Sequence, residues 1–342
     1  MLIDNEKCAK IIKKLSGDFM YSMGIDIGGT KCAVVLGRGE ITENIADFII
    51  DKISFPTCVE RGWREVVNQI SAEGDALLAR NGVKIGELLG VGISCGGPLD
   101  SKRGVIQCPP NLPDWDGVPV VQIISEHFGV RTVLQNDANA CAVAEWRFGA
   151  GRGSENMMFL TFGTGMGAGL ILNGKLYAGA CDMAGEVGHI RLCEDGPEGY
   201  GKKGSFEGFC SGGGIARLAK LTAEKYLAAN KTSTLFKTNE DVENITAKSL
   251  AEARENGDAF AAEVYGICAE KLGAALAMFC DIINPEVIVI GSIYERNEAF
   301  FKPLVREIIE REALPQTAAA CTVKGAELGD KIGDYAALGL LF

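Results

Sequence analysis

The stretch Gly24–Lys31 has the sequence GIDIGGTK. It places an acid, Asp26, inside an apolar strand and follows that strand with two glycines, Thr30 and Lys31. A hairpin turn uses one or two glycines for positive φ angles, but it has no use for the acid or for the threonine–lysine pair. A second segment of the same plan, MMFLTFGTGMGAGLIL, runs from residue 157 to residue 172. Together they predict two strand–turn–strand hairpins and an internal duplication.

Length and charge limit the class of protein. The 342 residues exceed the roughly 250 to 300 at which one core stops growing, so two lobes are expected. With 34 basic and 45 acidic residues the net charge is −11, which disfavours nucleic-acid binding. We find no apolar run long enough to cross a membrane and no apolar core of a secretory signal in residues 1–15. Twelve cysteines without a C-x-x-C pair favour a reducing compartment, and we expect the cytoplasm.

Strands and helices alternate along the chain, which predicts an α/β fold. The pattern predicts a first domain over residues 1–135, to which a helix at about 331–342 returns, and a second domain over 136–330. The more specific expectations are strands at Met23–Ile27 and Cys32–Leu36, strands in LLGVGIS, RTVLQ and NPEVIVIGS, helices over Trp63–Gly82 and about Asp258–Ile283, and an apolar helix in GDYAALGLLF.

The glycine turns are suited to holding phosphate. GTGMGA fits the loose dinucleotide-binding pattern, but a strand follows it where that pattern needs a helix, and the Walker pattern is absent. Each turn can direct several backbone N–H groups at phosphate oxygens, and Lys31 and Thr30 would add a charge and a hydroxyl. Asp26 could face a polyphosphate only through a cation, so Mg²⁺ is implied. The alternative for either turn alone is a plain tight hairpin.

Seven segments, in order, resemble the ROK family of repressors and sugar kinases. They are GIDIGGTK, GVGISCGGPLD, PPNLPDWDG, LQNDANACAVAEWRFGAG, LTFGTGMGAGLILNGKLYAG, AGEVGHI and GSFEGFCSGGGIARLA, and they cover nearly the whole chain. The resemblance implies the two-lobed, actin-like ATPase fold of sugar kinases, with ribonuclease-H-like topology in each lobe and a cleft where ATP and a hexose meet. It also implies a homodimer.

The catalytic candidate is Asp137. It follows a short predicted strand and precedes a predicted helix, so by position alone Asn136 and Asp137 would be helix-capping residues. The resemblance instead implies that Asp137 accepts the proton of the sugar hydroxyl that attacks the ATP γ-phosphate, while Asn136 binds a neighbouring hydroxyl. We expect the helix dipole to keep Asp137 ionised at neutral pH and to make it a weaker base.

The resemblance assigns the remaining site residues. It implies sugar contacts at Gly97, Asn111, Asn136, Asp137, Glu186, His189 and Glu207. It implies nucleotide contacts at Asp26, Gly28, Gly29, Thr30, Lys31, Gly163, Thr164, Gly165, Gly213, Gly214 and Gly291. Taken singly, Asn111 would form an Asx-turn, the glutamates would be surface acids, and His189 a surface or core histidine. Ser292 departs from the family, which usually has a further glycine there.

Structural zinc is expected to be absent. Many family members follow this histidine with a cysteine cluster that binds zinc, and Glu198, Tyr200 and Ser205 stand here where those cysteines would be. Cys193 and Cys210 could instead join His189 in an atypical metal site. Without zinc, packing and hydrogen bonds must hold the loop that carries Glu207.

Three functions compete. The first is an ATP-dependent hexose kinase of the glucokinase type, which includes fructokinase and N-acetylhexosamine kinase activities. The second is a sugar-responsive repressor. Repressors of the family carry an N-terminal winged helix-turn-helix, and we expect the roughly 20 residues before the first strand to be too few for one. The acidic net charge also disfavours DNA binding. The third is a catalytically silent, regulatory sugar-binding protein. The sequence does not distinguish the hexoses, which differ by one hydroxyl or acetamide group.

Overall fold

The computed structural model describes residues 21–41 and 45–342. The N-terminal segment in which we looked for a secretory signal lies outside these residues. The described chain divides into two compact units: the first contains the residues up to Ala140 together with Asp330–Phe342, and the second is Cys141–Gly329. The predicted domain limits, 1–135 and 136–330 with a returning helix at 331–342, are retained as a proposal.

The first unit is built on a five-stranded sheet and a small three-stranded sheet. The strands in chain order are β1 (Tyr21–Ile27), β2 (Lys31–Arg38), β3 (Ile49–Pro56), β4 (Leu88–Cys95), β5 (Leu99–Asp100), β6 (Val105–Gln107), β7 (Asp116–Val118) and β8 (Thr132–Asn136). The large sheet has the order β3-β2-β1-β4-β8, and the small one β5-β6-β7. The predicted hairpin, in which β1 and β2 pair with Ile27 opposite Cys32, is confirmed.

Helices cover the large sheet of the first unit. They are α1 (Trp63–Arg80), α2 (Val120–Phe128) and the first residues of α3 (Asp137–Phe148). The helix predicted over Trp63–Gly82 is confirmed; Asn81 follows its last residue, and Gly82 has a positive φ of 65°. A glycine one residue beyond the C-cap allows the left-handed conformation that ends the helix.

The second unit repeats the plan of the first. Its strands are β9 (Met157–Phe162), β10 (Met166–Leu172), β11 (Lys175–Leu176), a short hairpin of β12 (Glu198–Gly199) and β13 (Lys202–Lys203), then β14 (Val287–Ile290) and β15 (Thr322–Gly325). Its large sheet has the order β11-β10-β9-β14-β15. In both large sheets the first three strands are antiparallel and the last two are parallel to the middle one. The predicted internal duplication is confirmed at the level of strand order.

Helices of the second unit enclose its apolar core. They are α4 (Phe206–Phe209), α5 (Gly212–Ala228), α6 (Asn239–Val242), α7 (Ala247–Glu255), α8 (Ala259–Ile283), α9 (Ile293–Arg296), α10 (Glu298–Glu312) and α11 (Pro315–Ala320). The predicted helix over Asp258–Ile283 is confirmed as α8, whose N-cap Asp258 accepts the backbone N–H of Ala261 at 3.0 Å. Thirteen of its residues are buried, which explains its apolar sequence.

The last helix, α12 (Ile332–Gly339), belongs to the first unit. It packs on β1 and β4, and glycines in those strands make room for it. A Cβ on Gly92 would lie 1.9 Å from the carbonyl oxygen of Ala337, and one on Gly24 would lie 3.0 Å from the Ala337 Cβ. Helix α12 therefore lies against the large sheet of the first unit.

Across the residues described, no helix is both long enough and apolar enough to span a bilayer.

Candidate functional site

The first glycine turn joins β1 to β2. The backbone N–H of Gly28 donates to the carbonyl oxygen of Lys31 at 3.1 Å, which closes the turn. Thr57 is a buried residue directly after β3. Its hydroxyl donates to the Gly28 carbonyl at 2.5 Å, and its backbone N–H donates to the Thr30 carbonyl at 3.0 Å. Thr30 and Lys31 are exposed at the turn. No local pattern in the sequence indicates Thr57, because its partners Gly28 and Thr30 lie far from it along the chain.

The loop that carries Asn111 packs directly on this turn. A Cβ on Gly29 would lie 2.3 Å from the carbonyl oxygen of Asn111, and one on Gly96 would lie 3.3 Å from its side-chain Oδ1. A Cβ on Gly97 would lie 2.9 Å from Asn136 Nδ2. The approach at Gly29 requires glycine, because a Cβ there would overlap a backbone oxygen, whereas the contacts at Gly96 and Gly97 are with the ends of amide side chains. The first unit therefore brings Gly29, Gly97, Asn111 and Asn136 together.

Asp137 is the first residue of α3, as the sequence predicts. The Asn136 Oδ1 accepts the backbone N–H of Ala138 at 2.9 Å, and Asp137 Oδ1 accepts the same N–H at 2.8 Å. Asp137 keeps solvent-accessible surface, but the surrounding protein limits the hydration of its carboxylate and raises its pKa. The N–H groups of Ala138 and of Asp137 itself act in the opposite sense. The expectation of a weaker base was wrong in direction, because desolvation outweighs the helix terminus.

Asp26 lies in β1 beside this group. Burial raises the pKa of its carboxyl group to about 6, and the charges of Asp137 and Asp334 add to that rise. Lys52 and Lys31 lower the pKa, but their effect is smaller. Within the described parts of the chain no hydrogen bond to the Asp26 carboxylate is found. Two repelling carboxylates, one of them without a hydrogen-bonding partner, fit a divalent cation that takes oxygen ligands.

The second glycine turn, Gly163–Gly165, joins β9 to β10 with Thr164 exposed at its tip. The Gly163 N–H donates to the Gly165 carbonyl at 3.2 Å, and the Gly163 carbonyl accepts the N–H of Gly212 at 2.7 Å. The turn is thus tied to the first residue of α5. At that helix terminus the hydroxyl of the N-cap Ser211 accepts the N–H of Gly214 at 2.9 Å.

Glycine at the start of α5 is required by close packing. A Cβ on Gly214 would lie 2.2 Å from the carbonyl oxygen of Glu207, and one on Gly213 would lie 3.3 Å from the guanidinium of Arg217. The second unit therefore places the two predicted nucleotide segments, Gly163–Gly165 and Gly213–Gly214, side by side.

Gly291 and Ser292 follow β14 in the same unit. The Gly291 N–H donates to the Leu160 carbonyl at 3.1 Å, and a Cβ on Gly163 would lie 3.8 Å from Ser292 Oγ. Ser292 has φ 57° and ψ −107°, a backbone conformation that favours glycine. The residue that departs from the family is therefore also a strained residue.

Glu207 lies in α4 and contacts the second glycine turn. Its Oε2 accepts the backbone N–H of Met166 at 3.1 Å and would lie 3.0 Å from a Cβ on Gly165. Its Cβ lies 3.3 Å from the position that a Cβ on Gly188 would take. Glu207 therefore connects the glycine turn to the segment of Glu186 and His189.

Glu186 directly precedes a single 3-10 turn, Val187–His189, of which His189 is the last residue, and both side chains are exposed. Glu186 precedes the turn, and its carbonyl accepts the N–H of His189 at 3.2 Å. The structure thus gathers Glu186, His189 and Glu207 in one region of the second unit.

Hydrogen bonds hold the loop that contains Glu198, Tyr200 and Ser205. The Ser205 hydroxyl caps α4, accepting the N–H of Gly208 at 3.1 Å, and donates to the Gly199 carbonyl at 3.3 Å. Cys193 Sγ donates to the Asp195 carbonyl at 2.8 Å, and Cys210 Sγ lies 3.8 Å from Cys268 Sγ in the core. Nowhere in residues 21–41 and 45–342 do three side chains of the types His, Cys, Asp and Glu form a metal-binding group. The atypical site of His189, Cys193 and Cys210 is not formed there.

Glu145 is a buried acid of α3 that the sequence analysis did not single out. Its Oε2 accepts the N–H groups of Ala150 at 2.8 Å and Glu327 at 3.2 Å, and its Oε1 accepts that of Leu328 at 3.0 Å. Burial raises its pKa, and these N–H groups oppose the rise. The sequence offered one indication of this buried acid, which is its position inside the otherwise apolar run ACAVAEW.

The chain is similar over nearly its whole length to known proteins. The ROK family model matches residues 22–341. A glucokinase from Thermotoga maritima is 33% identical over 84% of this chain and 87% of that protein. The ROK hexokinase structure from Thermus thermophilus has a TM-score of 0.74 at 28% identity and covers 94% of this chain and 97% of its own. The ROK glucokinase structure from Streptomyces griseus, in complex with glucose and AMPPNP, has a TM-score of 0.68 at 30% identity, with 94% and 98% covered. Proteins named as repressors are also among the relatives.

Proposed function

The chain belongs to the ROK family and has the actin-like ATPase fold of its sugar kinases, and from that premise we propose that it transfers the γ-phosphoryl group of ATP to a hexose. The observation that carries the proposal lies in the first unit. Asp137, at the start of α3, stands beside Asn136, and glycines in neighbouring segments leave space around the amides of Asn111 and Asn136. Glucokinase is the activity of the relatives that match most of the chain.

Asp137 is the proposed general base. Its carboxylate accepts the proton of the sugar's primary hydroxyl, the hydroxyl oxygen forms a bond to the γ-phosphorus, and the bond from that phosphorus to the β–γ bridging oxygen breaks to release ADP. The raised pKa of Asp137 supports the role, because a carboxylate of higher pKa accepts a proton more readily. Its position at a helix N-terminus fixes the carboxylate next to Asn136, which would bind a neighbouring hydroxyl.

Backbone N–H groups of the two glycine turns are the proposed phosphate contacts, with Thr30 and Lys31 adding a hydroxyl and a charge at the first turn. Gly213, Gly214 and Gly291 would approach the adenosine. Asp26 would hold Mg²⁺. When bound, this ion would neutralise charge on the phosphates and allow an acid to lie near them.

Sugar hydroxyls would be bound by Asn111 and Asn136 of the first unit, where Gly97 leaves room for them, and by Glu186, His189 and Glu207 of the second. Carboxylates accept hydrogen bonds from hydroxyls, side-chain amides both donate and accept them, and an imidazole can donate or accept. This set suits a ring with several hydroxyls. We further propose that the protein acts in the cytoplasm as a homodimer, which light scattering of the purified protein would test.

A coupled assay for ADP release over a panel of hexoses tests the proposal. We expect turnover that needs hexose, ATP and Mg²⁺ together and that peaks on glucose or a close epimer. A reaction without sugar controls for simple ATP hydrolysis. If calorimetry detects binding of a hexose but no sugar gives turnover, the protein is a silent sugar-binding or regulatory member of the family, and the kinase proposal is wrong.

A further inference from the structure

The hairpin of β12 and β13 ends in a turn that is unfavourable for the residue at its tip. Glu198 pairs with Lys203 and Gly199 with Lys202, which leaves Tyr200 and Gly201 as a two-residue loop. Both loop residues have positive φ, 45° for Tyr200 and 72° for Gly201, as a type I′ turn requires. Asparagine followed by glycine is the favoured pair in such a turn, and a bulky side chain at positive φ is strained. Turn geometry therefore does not explain why tyrosine is at this position.

The tyrosine ring contacts His189. The two ring centroids are 6.1 Å apart and the planes cross at 78°, an edge-to-face arrangement. Tyr200 is otherwise 76% exposed, so burial in the core does not account for it either. Over the described ranges we find no hydrogen bond to the His189 imidazole, whose recorded side-chain contact is the one with the Tyr200 ring.

The hairpin is itself fixed to the segment of His189. The Lys202 ammonium donates to the His189 carbonyl oxygen at 2.8 Å, and Arg191 Nη1 donates to the carbonyl of Lys203 at 3.0 Å. These bonds hold the backbone of the hairpin that carries Tyr200 against the segment of His189.

We propose that Tyr200 is a positioning residue: its ring holds the His189 imidazole in the orientation that binds the hexose, and the strain at the turn is retained for that purpose. The proposal rests on the hexose kinase function proposed above. It places a determinant of sugar affinity on a residue that does not itself touch the reacting atoms.

Tyr200→Asn is the deciding variant, because asparagine suits the turn but removes the ring. We expect its melting temperature to stay the same or to rise by a few degrees, while KM for the hexose rises by about tenfold and KM for ATP does not change. Tyr200→Phe keeps the ring and should retain the wild-type KM. A role in folding alone predicts the opposite, a variant with normal KM values.

Proton NMR gives a readout that does not depend on activity. The chain has two histidines, so in tag-free protein the imidazole signals of His127 and His189 are separated by comparison with a His127→Gln variant. Tyr200→Asn should shift the His189 signal, through loss of the tyrosine ring current, and leave that of His127 unchanged. Tyr200→Phe should preserve both.

The proposal requires both results. A normal hexose KM in Tyr200→Asn, or a raised KM without a shift of the His189 signal, would overturn it. If the wild-type protein neither binds nor phosphorylates any hexose, the proposed kinase function is wrong. The proposed role of Tyr200 in hexose binding is then wrong as well, and the NMR shift reports only the ring contact. Lys202→Ala, compared with Lys203→Ala as a matched control, should reproduce a smaller rise in the hexose KM.

Discussion

The carboxylate of Glu207 accepts the backbone N–H of Met166 at 3.1 Å, and so it joins a helix of the candidate sugar site to the second glycine turn. In the proposed function, one acid would thereby be connected to both substrates. Because Gly188 lies against the Cβ of the same residue, a change at Glu207 should reach the segment of His189 as well.

We expect Glu207→Ala and Glu207→Gln to differ in their effect on the nucleotide. Glutamine keeps an oxygen that can accept the Met166 N–H, whereas alanine leaves that N–H without its acceptor, at a cost of about 1–3 kcal/mol. Steady-state kinetics should therefore show KM for ATP near normal in Glu207→Gln and raised about tenfold in Glu207→Ala. KM for the hexose should rise in both. Equal KM values for ATP in the two variants would exclude a link between Glu207 and the nucleotide through the Met166 N–H.

Asp137→Asn should lose about 10² to 10⁴ in kcat, the usual contribution of a general base, with hexose binding retained. Single-turnover kinetics and calorimetry measure the two quantities. Because the pKa of Asp137 is raised, the acidic limb of kcat/KM for the wild type should lie above the pH at which an ordinary aspartate titrates. The exposed Asp116 provides the control, and Asp116→Asn should behave as wild type. Near-normal turnover in Asp137→Asn would remove this residue from the mechanism.

Asp26 should make the stability of the nucleotide-free protein depend on pH. Its pKa is about 6 in the folded chain and 3.8 for an ordinary aspartate. Between these values the folded state binds more protons than the unfolded state, so the free energy of unfolding falls as pH rises. At pH 7.5 we expect Asp26→Asn to be more stable than wild type by up to about 3 kcal/mol, with no difference near pH 4.

Urea unfolding at several pH values measures this difference, and Mg²⁺-dependent turnover of Asp26→Asn should be strongly reduced. A variant that is less stable than wild type at pH 7.5 would show that Asp26 is stabilised by contacts rather than strained by burial.

Ser292→Gly should stabilise the protein by about 1 kcal/mol, because glycine adopts the φ of 57° without strain. The comparison is Ser125→Gly within α2, where glycine should destabilise by a similar amount. Chemical denaturation reports both changes. If Ser292→Gly is destabilising, the serine hydroxyl makes a contact worth more than the strain.

Glu145→Gln should destabilise the protein by about 1–3 kcal/mol. Its two carboxylate oxygens accept three backbone N–H groups, and the amide group of glutamine must face at least one of them. Hydrogen exchange at the amides of Glu327 and Leu328 should accelerate with the loss of stability. Glu307→Gln, at an exposed position of α10, is the matched control and should change neither quantity.

Much of the fold could be predicted from the sequence. The hairpins at Gly28 and Gly163 were predictable because a glycine pattern between apolar strands occurs twice, and α8 because its cap and apolar face are local. The strands β5, β6, β7, β12 and β13 were not predicted. Each has two or three residues, too few for a period to be recognised, and pairing across the chain defines them.

The residues of the candidate site were named from the sequence and their roles stay a prediction, whereas their interactions in the fold could not be predicted. Thr57 and Glu145 act on segments far along the chain, and no local pattern indicates such partners. The pKa of Asp137 was misjudged because its helix position can be read from the sequence, whereas the protein that surrounds its carboxylate cannot. Tyr200 was noted only as a lost cysteine, since its positive φ and its contact with His189 exist only in the folded chain.

The helix α12 has a consequence for how the protein is made. Gly24 and Gly92 leave space on the first sheet that residues of this helix fill, yet the ribosome adds residues 330–342 only after the whole second unit. While the nascent chain is still growing, the first sheet exposes an uncovered apolar surface. Completion of the first unit must therefore wait until translation has passed the second, so chaperones have a defined window in which to bind.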